Sequence, residues 1–311
     1  MAWSIGRVST LQFNLTNRQH VSRTSIALQN AGKEVSTGRK ADIFADLGPR
    51  AASALKLRSR EEETQTYLMA NNLLGNKLSA MLTSVNAIRD QVEGVLEVAL
   101  SNASNPSNGA FVLQTQARAA MESIVSTLNV KFNGEHLFGG TQSDNAPMMR
   151  WDEANPTTGL SPEDVAAGIA AAGLTDPASA TAMAAEYDLV FSSSDTANPD
   201  RNFEETHYLG TPIEDGSGNP NERIKARLSP GQELQYGVQA NDEGIRDILK
   251  GLSMLISTDV SEIDDMDTYR EWMSGVIDAL SSGQDGALDA ATQIGFNQQV
   301  VETSVKRLTD L

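Results

Sequence analysis

Residues 73–100 read LLGNKLSAMLTSVNAIRDQVEGVLEVAL, and the spacing of their apolar side chains decides the fold. Leu74, Leu78, Met81, Val85, Ile88, Val92, Val95 and Ala99 follow one another in alternating steps of four and three. That is a heptad seam sustained for about three and a half repeats. Proline is absent from Arg50 to Leu100, and Gly75 and Gly94 are the glycines of the stretch. The pattern predicts one long helix from Pro49 to Leu100 that hides a narrow stripe inside the subunit. At 1.5 Å per residue such a helix is about 75 Å long, a length that suits a fibre subunit better than a compact enzyme.

Upstream, residues 4–40 read as a weaker helix. Val8, Leu11 and Leu15 keep seam spacing, as do Leu28, Ala31 and Val35, but Arg18, Ser22 and Ser25 interrupt them. A helix with so polar a middle is marginal alone and gains order by packing against other chains, so these six residues are candidates for subunit contacts. Gly38, beside Arg39 and Lys40, is the expected C-cap. Ala41–Pro49 reads as a loop, and Pro49 suits the first turn of the long helix. Downstream, Ser101–Gly109 is a turn. Leu113, Ala117, Ala120, Ile124 and Leu128 then mark a third helix, antiparallel to the second because the link is short. Asn133-Gly134 reads as a tight turn and His136–Phe138 as a short strand.

From Trp151 the composition shifts toward Pro, Gly, Asp, Asn and Thr. Residues 151–221 are expected to be a separate, exposed insert, with small helices at Val165–Ala172 and Ala178–Ala185 and a strand at Tyr187–Phe191. Strands are expected at Ile224–Leu228 and Glu233–Val238 around Ser229-Pro230-Gly231. Helices resume with Ile245, Leu249, Leu252 and Ile256, and again with Tyr269, Met273, Val276 and Leu280. After a break at Ser281-Ser282-Gly283 comes a last seam: Ala287, Ala291, Ile294, Gln298, Val301, Val305 and Leu308. The expected architecture is mainly α: a long antiparallel helix bundle, a coiled-coil rod, built from both ends of the chain. Its divisions are 1–45 (assembly helix and loop, expected to be mobile in isolation), 46–150 with 222–311 (helical rod) and 151–221 (a small β or mixed insert at the tip).

Composition narrows the function. The 311 residues carry 24 Lys and Arg against 41 Asp and Glu, a net charge of −17, which argues against nucleic acid as a partner. Aromatic residues make up only 5%, which fits helix seams better than a broad globular core. Cysteine is absent, so no disulfide framework or thiolate metal site can form. The first residues lack the apolar run of a cleaved signal peptide, and no stretch is apolar for eighteen residues, so no membrane partner is expected. Motifs for chemistry are equally sparse. His20, His136 and His207 are far apart and form no HExxH pair. Asp215-Gly216-Ser217-Gly218-Asn219 begins like a calcium loop, but Pro220 and Ala226 stand where glycine and glutamate are required. Glu262, Asp264, Asp265 and Asp267 precede a helix, where acidic residues favour the N-terminus. Gly139-Gly140-Thr141 is too short for a phosphate loop, and no GxSxG elbow occurs. No catalytic, cofactor or metal residues are assigned.

The order of parts resembles the flagellin superfamily. The resemblance rests on Glu34-Val35-Ser36-Thr37-Gly38-Arg39-Lys40 before the long helix, and on Phe132-Asn133-Gly134-Glu135-His136-Leu137-Phe138-Gly139-Gly140-Thr141 with Ala146-Pro147-Met148 after it. A further match runs from Pro230-Gly231-Gln232 through Tyr236–Asn241 into Ile245–Leu249. The distal segments are most like the hook-associated protein 3 family, the hook–filament junction proteins, and the likeness covers about 1–150 and 222–311. It implies a non-enzymatic structural protein of the extracellular flagellum, exported by the flagellar type III route. Its partners would be copies of itself in a ring, hook-associated protein 1, flagellin and an export chaperone. In the family several more helical turns follow the segment like Ile294–Leu308 and pair with the N-terminal helix, so a truncated chain is expected here. Two rival readings are a filament flagellin, and a secreted surface-binding protein using Trp151, Tyr187, Phe191, Phe203 and Tyr208 of the insert.

Overall fold

The computed structural model describes residues 10–41, 48–104 and 110–310, with the backbone alone for Thr10, Leu11, Pro49, Ala110 and Phe111. Two compact units divide the chain, Met1–Thr66 and Tyr67–Leu311. The first contains α1 (Thr10–Thr37), a 3-10 turn at Gly48–Arg50 and the opening of α2 (Ala51–Asn102). Gly38 ends α1 with φ +66°, and its N–H donates to the Glu34 carbonyl at 2.9 Å, satisfying an otherwise orphan acceptor.

The second unit takes the rest of α2, then α3 (Ala110–Leu128), β1 (Lys131–Phe132), β2 (Glu135–His136), α4 (Pro162–Ala170), α5 (Pro177–Phe191) and α6 (Phe203–Thr206). β3 (Lys225–Ser229), β4 (Gln232–Gln235), α7 (Glu243–Ser257) and α8 (Met266–Thr309) follow. It is a mainly helical bundle. All eight seam residues from Leu74 to Ala99 are buried. Opposite them α8 runs antiparallel. Asn71 of α2 lies by Ser304, Ser79 Oγ accepts from Gln298 at 2.9 Å, and the Tyr269 hydroxyl donates to the Asn102 carbonyl at 2.6 Å. α3 returns along α2, since Lys77 pairs with Glu135, just past the α3 end, at 3.1 Å. The hairpin β1–β2 turns through Asn133 (φ 52°) and Gly134 (φ 90°), the left-handed pair that a two-residue hairpin loop requires. β3 and β4 form a second antiparallel pair around Gly231 (φ 77°).

Several sequence expectations change. The helix does not break at Ser281-Ser282-Gly283; α8 is continuous. Glycine there lets α7 and α8 approach closely. A Cβ on Gly283 would stand 2.6 Å from the Ile248 backbone nitrogen, and one on Gly286 2.6 Å from the Gly244 Cα. Contact between the two helices outweighs the roughly 1 kcal/mol helix penalty of each glycine. Tyr187–Phe191 is not a strand but the last turns of α5. This helix starts from an Asp176–Ser179 capping box with Pro177 at its first position and buries Ala180, Met183, Tyr187, Val190 and Phe191 on one side. In the last seam Gln298 and Val305 are half-buried, while Asn297 and Ser304 take interior positions.

Residues 151–221 do not stand apart. Trp151, Ile169, Met183, Tyr187, Phe203 and Tyr208 belong to the same apolar core as the α2 seam. Polar ties reinforce the union. The Tyr187 hydroxyl lies 2.6 Å from Ser257 Oγ, Arg246 donates to the Phe191 carbonyl at 2.8 Å, and Lys250 pairs with Asp188 at 2.8 Å. Polar loop composition hid these anchors, because a few large aromatic side chains carry the packing of a segment otherwise rich in turn formers.

Candidate assembly surface

α1 has no buried residue among its described side chains. Leu15, Leu28 and Val35 are 54%, 74% and 87% exposed, and Ala31 is exposed too. Val8 lies outside the described residues, as does the Leu11 side chain. Successive helical residues turn by about 100°, so the two triads do not share a stripe. Leu15 lies on one side with exposed Ile26. Leu28, Ala31 and Val35 lie about 160° round the axis, where Phe13 and Val21 extend them. Phe13 and Val21 are also exposed, and sequence reasoning missed them. The signal was present: 21, 28 and 35 are spaced by sevens. α1 thus offers apolar residues on two faces, the pattern of a helix designed to be packed between neighbours. Leu55 and Leu57, in the same unit, are exposed as well.

The other sequence candidates fall inside the second unit and serve its structure. His207 is buried against Phe191 and Phe203, ring centroids 5.0 and 5.1 Å away, with Thr206 Oγ1 2.8 Å from Nδ1. Burial pushes its pKa down to about 3, so at neutral pH it is an uncharged core ring. His136 is buried too, and desolvation lowers its pKa. Both Asp215 oxygens are engaged within their own loop, Oδ1 accepting from the Ser217 and Asn219 backbone at 2.8 and 2.9 Å. Asp265 caps α8, accepting from the Thr268 amide and hydroxyl at 2.8 and 2.6 Å, and those bonds hold its pKa below the usual carboxylate range. Among the described residues no three His, Cys, Asp or Glu side chains converge as a metal would need. The five aromatics that a surface-binding insert would use are buried, so none is free to stack on a sugar.

A groove of about 700 Å³ runs where the chain leaving β4 and the start of α7 lie against α8. Glu243, Asp285 and Asp289 face it without an ion-pair partner among the described residues, while Asp242 pairs with Arg223 at 2.5 Å and Asp247 with Lys250 at 3.2 Å.

The motif residues hold the second unit together. The Ala240 amide donates to the Phe138 carbonyl at 3.0 Å, and the Thr211 hydroxyl lies 2.8 Å from the Thr141 amide that donates to it. Asn241 Nδ2 donates to Glu204 at 2.7 Å and to the Thr211 carbonyl at 3.1 Å. The Asn-Gly hairpin, the Gly-Gly-Thr segment and the lead-in to α7 are therefore one knot. Residues 8–143 match the family of the bacterial flagellin N-terminal helical region. That match covers the N-terminal part of the chain, where the flagellin-like segments of the sequence lie.

No curated protein sequence matches this chain. Among solved structures, a Vibrio parahaemolyticus protein described as a flagellar hook-associated protein superposes with a TM-score of 0.55 at 13% identity, covering 86% of this chain and 94% of that one. FlgL of Bacillus cereus does so with 0.52 at 11% identity, covering 84% of this chain and 96% of that one. At such identities the likeness is one of fold. Among the described residues no helix is long and apolar enough to cross a membrane.

Proposed function

We propose that this chain is a structural subunit of the bacterial flagellum that joins the hook side to the flagellin filament, in the manner of hook-associated protein 3. The observation that carries this reading is α1, a 28-residue helix with apolar residues exposed on two faces, in a chain that buries its other heptad seam. A solvated helix of that kind gains its stability from neighbours. Leu11, Leu15, Leu28, Ala31 and Val35, together with Phe13 and Val21, are the contacts that copies in a ring would bury, and Val8 belongs with them by sequence. The fold supports the junction role over the filament role, since the likeness to two hook-associated structures extends over nearly their whole lengths. The role is mechanical: packed helices transmit torque between two tubes of different lattice, with no catalytic step. Hook-associated protein 1 and flagellin are the partners on either side, an export chaperone precedes them, and the working location is outside the cell.

The test is genetic. Cells lacking this protein should form hooks, fail to grow filaments and shed flagellin. The native chain should restore filaments, and a Leu28→Asp/Val35→Asp variant should be exported without restoring them. Long filaments grown by the purified chain alone would instead make it a filament flagellin.

A further inference from the structure

Charge is divided unevenly along the chain. Residues 1–66 hold ten of its 24 Lys and Arg but six of its 41 Asp and Glu, so the first unit carries +4 and the second −21. The basic excess ends in one stretch: Arg50, Lys56, Arg58 and Arg60, all exposed, with no acidic residue from Leu47 to Arg60. Arg58 is turned toward Glu62 at 3.4 Å. Lys56 and Arg60 are one helical turn apart on α2 and share another face. The acidic groove on the second unit offers the matching spacing. Asp285 and Asp289 are exposed one turn apart on α8, and Glu243 faces them from α7. Bodies of charge −21 repel one another when stacked, so close assembly needs a compensating positive surface.

We infer that the acidic groove between α7 and α8 receives the Lys56–Arg60 face of a second copy, two positive charges one turn apart lying along two negative charges of the same pitch. The occupant is a second copy because its N-terminal unit supplies the complementary charge on a helix face with no buried side chain. This contact rests on the assembly reading above and specifies where the next subunit's arm lies. It is solvent-facing, so its main effect is on register and on the salt dependence of association.

A charge swap tests it with the full-length chain. Self-association is followed by sedimentation velocity over a concentration series at about 50 mM and about 500 mM salt, a span over which exposed ion pairs are screened. The native chain should associate about tenfold more weakly at the higher salt. Lys56→Glu/Arg60→Glu should weaken association by at least about tenfold, and so should Asp285→Lys/Asp289→Lys. An equimolar mixture of the two should regain native association, because each variant's arm then fits the other's groove. Circular dichroism melts check that both variants fold, and the neutral pair Lys56→Gln/Arg60→Gln should fall between native and reversed. Variants that associate like the native chain, or a mixture that does not recover, overturn the groove contact and leave the assembly reading standing. A native chain that stays monomeric throughout overturns both.

Discussion

Two helices of this chain carry apolar residues at seam spacing, and they have opposite fates. The α2 seam from Leu74 to Ala99 is buried in its own unit, whereas the described apolar residues of α1 are exposed. The difference lies in what occupies the seam between the apolar positions. In α2 no polar residue interrupts eight consecutive positions, so one continuous stripe is buried within its own unit for its whole length. In α1 the apolar residues split between two faces and are separated by Arg18, Ser22 and Ser25, so no single intramolecular partner could bury them. Regular spacing shows that a helix will be packed; continuity of the stripe shows whether its own chain does the packing.

The largest break between the two regions should come from the seam itself. Ile88 is fully buried, so Ile88→Ala removes core contacts and leaves a cavity; urea unfolding should show a loss of about 2–5 kcal/mol. A loss below about 0.5 kcal/mol would mean that the seam is not the core of the second unit.

A smaller loss is expected where the second unit packs backbone against backbone. Gly286→Ala places a methyl 2.6 Å from the Gly244 Cα, and neither helix has a side chain there that could move aside. Forced separation of α7 and α8 should cost about 1–3 kcal/mol, partly offset by the better helix propensity of alanine. Gly168→Ala, with open space around its Cβ, is the control and should not destabilise.

This pair of helices also shows where the sequence could be read and where it could not. The α2 stripe, the Asn-Gly hairpin and the Gly38 cap were legible because each depends on local residue order. The glycines of α8 were not, since Ser281-Ser282-Gly283 has the composition of a turn and its helical state depends on Ile248 and Gly244 of another element. Tyr187–Phe191 misled for the same reason: five residues with three aromatic or β-branched members fit a strand, and only the cap at Asp176 and the burial on α7 decide for a helix. The assembly surface was half legible. Leu15, Leu28 and Val35 could be picked by spacing, but the angle between the triads, and hence the part played by Phe13 and Val21, emerges only when α1 is followed around its axis.

The interior of the second unit should also impose a pH dependence that the exposed helix does not. His207 has a folded pKa of about 3 against 6.5 when unfolded, so below pH 6.5 the unfolded chain binds a proton that the folded chain refuses. Its neutral burial is therefore without electrostatic cost above pH 6.5, and stability falls by about 1.4 kcal/mol per pH unit from there toward pH 3. Urea melts at pH 7 and pH 5.5 should differ by about 1.4 kcal/mol more for the native chain than for His207→Phe. Equal differences in the two proteins would show that the ring is reached by water or by a proton in the folded state.

The smallest effect on the isolated chain, and the sharpest separation of the two regions, belongs to α1. Leu28 is 74% exposed, so Leu28→Ala removes little that the folded chain has buried; its urea midpoint should stay within about 0.5 kcal/mol of native. Alanine is also the better helix former, so any local change should favour α1 slightly. The same substitution should weaken assembly, because the leucine would be buried only against neighbours and its transfer from water would be lost there. A seam variant harms the monomer first and assembly as a consequence; an α1 variant should reverse that order. Should Leu28→Ala lower monomer stability as much as Ile88→Ala, α1 would have a partner within its own chain, and the distinction drawn from the interrupted stripe would not hold.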